Sequence, residues 1–228
     1  YARESAMSRG QITEEEEEIT VKAILSIGDN QYKVKLSPTG QNLDMIGSIN
    51  KRAYKVKVLE GEKIYGMEEF KLLPPVTRNY TAEWVGHALE DKEGLISLRY
   101  FFVEVTLNGN DQGVYAIEEH FNKELLENRK AREGIIFSAK VGYLNDNQES
   151  VGFFSTTLYP IKIFNEKKIS NDPISLNRIR ILKSALQSVK NNEIEIGRIF
   201  DLEKFAIHYA IIDLMDGWHA VGYNSVFY

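Results

Sequence analysis

Apolar and polar residues alternate on both sides of Gly28-Asp29-Asn30. Alternation of period two interrupted by turn formers predicts two strands, at 19–27 and 31–36, joined as a β-hairpin. Turn formers collect again from Ser37-Pro-Thr-Gly40 to Gly47-Ser48. A third alternating strand follows at 53–59, with Tyr54, Val56 and Val58 on one face and Lys55 and Lys57 on the other. Downstream of Pro74-Pro75, Trp84, Val85, Ala88 and Leu89 recur at helical spacing. This predicts an amphipathic helix within 77–90 that places Trp84 in the core. Segments 99–107 and 114–119 are rich in β-branched and aromatic residues and flank Asn108-Gly-Asn-Asp-Gln-Gly113, the pattern of a second hairpin.

Three further helices are marked by their caps. Asn122 precedes a short one reaching about Asn128. Asp172-Pro173 opens a longer one with a stripe of Ile179, Leu182, Leu186 and Val189. Asp201 opens a third that is expected to run to about His219. The order of elements implies an α+β fold, with a sheet-rich first lobe and a mostly helical second lobe. Residues 1–18 form a polar segment ending in the run Glu14 to Glu18, which reads as a solvated charge run, and 19–228 read as one domain. The chain starts without Met and closes on Asn224-Ser-Val-Phe-Tyr228, an apparent strand in progress, so both ends are expected to continue.

Composition narrows the function. A net charge of -5 and a pI near 5.5 argue against a nucleic-acid partner, which calls for clustered Lys and Arg. The absence of cysteine removes disulfides, thiolate metal sites and a cysteine nucleophile. No apolar run is long enough to span a bilayer, and no signal peptide opens the chain. There is no GxSxG elbow, Walker loop or GxGxxG.

The chemistry-bearing candidates fall in two places. Lys57 sits in a strand after a glycine-containing loop, where a nucleotide-binding fold puts the lysine that meets phosphates. Its ordinary alternative is a lysine on a solvated strand face. Glu119 alternates with Ile117 and Tyr115, so its carboxylate lies on an apolar face and needs a cationic partner. Lys57 would meet that need, with Glu83 of the predicted helix as the other candidate partner for the lysine. The second place is the chain end, where Asp213, Asp216 and His219 follow at three-residue steps and Asn224 comes next. His219 and Asn224 are five residues apart, the spacing of base and metal-binding Asn in a kinase catalytic loop. His87 and His120 lack metal-binding spacing and read as packing or surface residues.

Several of these segments together resemble the CotH kinases, atypical kinases named for a spore-coat protein. The most specific are Val103-Glu-Val-Thr-Leu-Asn-Gly109 and Gln112-Gly-Val-Tyr-Ala-Ile-Glu-Glu-His120. Arg52-Ala-Tyr-Lys-Val-Lys57 is similar to the family's basic strand with its nucleotide lysine, and Tyr65-Gly-Met-Glu-Glu-Phe-Lys-Leu72 with Arg78-Asn79 to the segment before the lobe helix. Asn224 is similar to the metal-site Asn. The resemblance implies an atypical protein-kinase-like fold, incomplete at its C-terminus, that uses ATP with Mg or Mn. It implies Lys57 on the phosphates, Glu83 or Glu119 orienting it, Asn224 on metal and His219 where an aspartate base usually stands. The family's basic loop is replaced here by Ser37-Pro-Thr-Gly40. A location at the cell envelope with an upstream membrane tether, and a protein substrate or coat proteins as partners, are also implied.

Three functions remain open on sequence alone. One is phosphoryl transfer to protein hydroxyls, and the second is a non-catalytic pseudokinase serving as a coat or envelope module. The third is a β-rich binding module that recognises carbohydrate or protein through exposed aromatics such as Trp84 and Trp218.

Overall fold

The computed structural model describes residues 19–40, 51–141, 158–216 and 226–228. It is a mixed α/β structure that divides into two compact units. One holds residues up to Ala88 together with Ile96–Lys130, and the other holds Leu89–Leu95 together with Ala131–Tyr228.

The first unit is built on a six-stranded antiparallel sheet of β1 (Val21–Ile27), β2 (Asn30–Pro38), β3 (Tyr54–Val58), β4 (Glu69–Leu73), β5 (Tyr100–Leu107) and β6 (Asn110–Glu119), in the order β1-β2-β3-β4-β6-β5. Both expected hairpins are present. Ile27 pairs with Asn30, and Gly28 takes a φ of 57° in the two-residue turn between them. The second hairpin is tighter than its sequence suggests. Asn108 and Gly109, with φ of 50° and 80°, make a two-residue turn, and a register shift at Val105/Thr106 absorbs the extra residue. The larger core of this unit lies on one face of the sheet, where Val34, Val56, Val58, Phe70, Leu72, Tyr115 and Ile117 pack with Ile64 and Met67, and a smaller cluster of Ala53, Leu73, Tyr100 and Ala116 is buried on the other.

A short 3-10 helix (Pro75–Arg78) follows β4, and Asn79 and Tyr80, at φ of 49° and 57°, break it from α1 (Ala82–Lys92). Two successive left-handed residues cannot continue a right-handed helix, so the expected single helix starts later than Thr77. No residue of α1 is fully buried, and Trp84 is 47% exposed instead of lying in the core. The short α2 (Lys123–Asn128) begins at Asn122, whose side chain makes no capping hydrogen bond.

The second unit contains a three-stranded antiparallel sheet, of which the sequence pattern revealed only the strand at the end of the chain. It is formed by β7 (Phe137–Val141), β8 (Leu158–Ile163) and β9 (Val226–Phe227), in the order β8-β7-β9. Phe137 and Ile163 pack against Ile179, Leu186 and Val189 of α3 (Pro173–Lys190), the expected stripe. Asp172 caps α3 by accepting from the Ser175 backbone N–H at 2.8 Å, and Asp201 caps α4 (Leu202–Leu214) through Lys204 N–H. α4 ends at Leu214, short of the expected His219, and Asp216 adopts a φ of 52° beyond the helix. Among the described residues no helix is long and apolar enough to cross a membrane.

Candidate functional site

The six-stranded sheet has one apolar face and one face where charged side chains stand beside a small buried cluster of Ala53, Leu73, Tyr100 and Ala116, and strand alternation decides which side chains each receives. Val56 and Val58 in β3, Phe70 and Leu72 in β4 and Tyr115 and Ile117 in β6 take the apolar face. Their neighbours Lys55, Lys57, Glu69, Lys71 and Glu118 therefore share the other. The 3-10 helix and the first turns of α1 add Arg78, Glu83 and His87 to this charged surface.

Glu118 is at its centre. Its carboxylate is buried, with Lys71 Nζ 2.6 Å from Oε1 and Arg78 Nε 3.7 Å from Oε2. Burial works to raise its pKa, but Lys71 and Arg78 outweigh burial and hold the carboxyl below its ordinary value. Arg78 Nε also lies 3.7 Å from Glu83 Oε2, and His87 Nε2 lies 3.8 Å from Glu83 Oε1. Glu83 moves the opposite way, because burial pushes its carboxyl up more than Arg78 pulls it down. The Tyr100 ring lies against His87, with centroids 5.6 Å apart. Burial and the two carboxylates raise the pKa of its hydroxyl well above the usual tyrosine value, and that buried hydroxyl has no hydrogen-bond partner among the described residues.

Next to this network, Glu69 receives Lys55 Nζ at 2.7 Å and His120 Nε2 at 3.3 Å. Burial depresses the His120 pKa to about 4, so the ring is neutral near pH 7. Lys57 faces Glu69 across one strand and Lys35 across the other, yet it is exposed and makes no ion pair among the described residues.

The expected contact between Lys57 and Glu119 does not form. Glu119 does lie on the face of Ile117 and Tyr115, but β4 sets it opposite Phe70, which itself faces Val56. Glu119 and Lys57 thus point to opposite sides of one sheet. The partner of Glu119 is Arg99, which donates from Nε to Oε2 at 3.0 Å and from Nη2 to Oε1. Arg99 also donates from its backbone N–H to Oε2 and from Nη1 to Tyr65 O at 2.7 Å, locking the Tyr65-Gly66 turn to the strand. A Cβ at Gly66 would stand 3.0 Å from Arg99 Nη1, on a backbone of φ +74°.

Glu83, the other partner considered for Lys57, is engaged by Arg78 and His87. Asp213 and Asp216 are exposed at the end of α4, and the bend at Asp216 removes the helical alignment expected of them. His219, Asn224 and Trp218 lie outside the described residues. Among the described residues no group of three or more His, Asp or Glu side chains is placed to hold a metal ion.

Sequence reasoning missed Lys71, Arg78, Glu118 and Glu69 as members of the polar face. Parity offered a signal for one of them: once Glu119 is assigned to the face of Ile117, Glu118 must take the other. Arg78 meets both Glu118 and Glu83 across a break in the helix that spacing does not encode.

Among curated proteins nothing matches the chain. The model of the family described as CotH kinase protein matches residues 40–228. That match spans strands β3 to β9 and the whole polar network around Glu118, and the chain belongs to the CotH kinase protein family.

Proposed function

We propose that this chain is a kinase-like domain that binds ATP with Mg or Mn and transfers a phosphoryl group to a protein hydroxyl. The first unit would act as the nucleotide lobe and the second as the helical lobe. The observation supporting this is the state of Lys57. Lys55 and Lys71 beside it are each neutralised by a carboxylate within 3 Å, whereas Lys57 has none among the described residues. An exposed ammonium with no ion pair among the described residues suits a phosphate oxygen.

ATP supplies the phosphoryl group, and the metal neutralises charge on the phosphates. In this reading Lys57 meets the phosphates, and Glu83 acts through Arg78 to order the neighbouring network. Glu119, through Arg99, holds β6 in register, while Asn224 is the candidate metal ligand and His219 the candidate acceptor of the hydroxyl proton. The partner is a protein substrate or a coat or envelope protein, and the setting is the cell envelope, with a membrane tether upstream.

The second reading, a pseudokinase acting as a coat or envelope module, has its own observation. Ser37 and Thr39, at the end of β2 where the family has its basic loop, are buried and offer no cation.

Thermal unfolding of the chain with ATP and Mg or Mn, beside Lys57→Ala, tests nucleotide binding. Ligand at 100 times its Kd stabilises by about 2.7 kcal/mol. A shift that Lys57→Ala abolishes supports the site, and no shift in folded wild type sinks it. Phosphate transfer from ATP to a generic protein acceptor then separates an active kinase from a pseudokinase.

A further inference from the structure

The polar face carries six lysines on β1 to β4, and their ion pairs are unevenly distributed. Lys33, Lys55 and Lys71 each have a carboxylate close by, Glu60 at 2.7 Å, Glu69 at 2.7 Å and Glu118 at 2.6 Å. Lys22, Lys35 and Lys57 have none among the described residues. These three are also contiguous. The β1–β2 register sets Lys22 opposite Lys35, and the β2–β3 register sets Lys35 opposite Lys57. They form one row across three strands, roughly 10 Å from end to end at the usual strand spacing.

Like charges directly opposite one another destabilise a sheet. Lys55 and Lys71 are also directly opposite, but there Glu69 and Glu118 neutralise them. The sheet thus balances one lysine pair with acids and leaves the adjacent row without an ion pair among the described residues. A lysine on an edge strand guards against stray strand pairing. That accounts for Lys22 on β1 but not for Lys35 and Lys57, which lie on interior strands.

We infer that Lys22, Lys35 and Lys57 form a single binding row for a chain of linked phosphates, whether the tail of a nucleoside triphosphate or a free polyphosphate. Lys22 and Lys35 precede residue 40, where the family match begins, so two of the three cations come from a hairpin that the family model does not cover. This rests on the proposed role of Lys57 and extends it. The Ser37-Pro-Thr-Gly40 segment at the end of β2 supplies no cation, and the row supplies the positive charge from the strand faces instead.

Isothermal titration of the whole chain with inorganic triphosphate and with ATP tests the row. Each charge-assisted contact contributes about tenfold in affinity. Lys22→Gln with Lys35→Gln should therefore weaken both ligands about 100-fold. Lys33→Gln, which removes a neutralised lysine of the same face, should change either by less than about twofold, and far-ultraviolet circular dichroism confirms that each variant is folded. Full ATP affinity in the double variant, with loss in Lys57→Gln, overturns the row and leaves the nucleotide reading standing. Row-dependent triphosphate binding with no ATP binding upholds the row and sinks the nucleotide reading. An equal loss in Lys33→Gln shows a diffuse charge effect and overturns the row, as does failure of folded wild type to bind triphosphate.

Discussion

Glu118 and Glu119 are successive residues of β6, both buried and both salt-bridged, yet they belong to different faces of the sheet and different kinds of structure. Glu119 is held by a planar guanidinium and a backbone N–H, and its fully buried side chain ties a strand to a turn. Glu118 is shared between Lys71 and Arg78, whose side chains are 28% and 30% exposed. One carboxylate is part of the frame, and the other belongs to a charged surface that a ligand could rearrange. The difference shows that burial of an acid does not mark a functional site. What distinguishes the two is that Glu119 is fixed by one guanidinium together with a backbone N–H, whereas Glu118 is shared between two separate cations.

Breaking each carboxylate separately should expose that difference. Glu119→Ala leaves Arg99 without its anion beside the core and should cost about 4 kcal/mol in denaturant unfolding. A loss below about 1 kcal/mol would mean that Glu119 is not part of the frame. The pH dependence comes next. His120 has a folded pKa of about 4 against an unfolded value near 6.5, so the stability linked to its neutral form is complete above pH 6.5 and is lost as pH falls toward 4. Glu118, with its pKa held down, adds a loss in the same direction as pH falls below its ordinary range. The His120 contribution amounts to about 3 kcal/mol at most. Unfolding curves across this range should slope accordingly, and His120→Gln should flatten them between pH 6.5 and 4.

Glu118→Gln should cost less, about 2 kcal/mol, because Lys71 and Arg78 can turn toward water. A cost equal to that of Glu119→Ala would erase the distinction between the faces. The smallest effect is expected at Lys57. Lys57→Ala should change stability by no more than about 0.5 kcal/mol while removing ligand stabilisation, the mark of a residue kept for binding.

Much of the polar face was legible in outline. Alternation put Lys55 and Lys57 together, placed Glu119 with Ile117 and Tyr115, and marked both hairpins, because each of these depends on residues within a few positions of one another. The pairing of Lys57 with Glu119 failed because it needed the relation between β3 and β6, two strands that are joined only through β4. Arg99 was not considered as the partner, although it stands at the start of the segment that pairs with β6. Trp84 illustrates the same limit for helices. Its spacing is that of a buried stripe, but no residue of α1 is fully buried and the indole is half exposed.

By itself the sequence determined the local periods, the caps of α3 and α4 and the side of each strand on which a charge would stand, since period and capping follow from neighbours along the backbone. Only the tertiary structure decided which charges meet. Strand order and register set Lys22, Lys35 and Lys57 in one row, brought Lys71 and Arg78 to Glu118 and gave Arg99 to Glu119. Cross-strand distance depends on hydrogen bonds between segments far apart in the chain, and no spacing within the sequence encodes it.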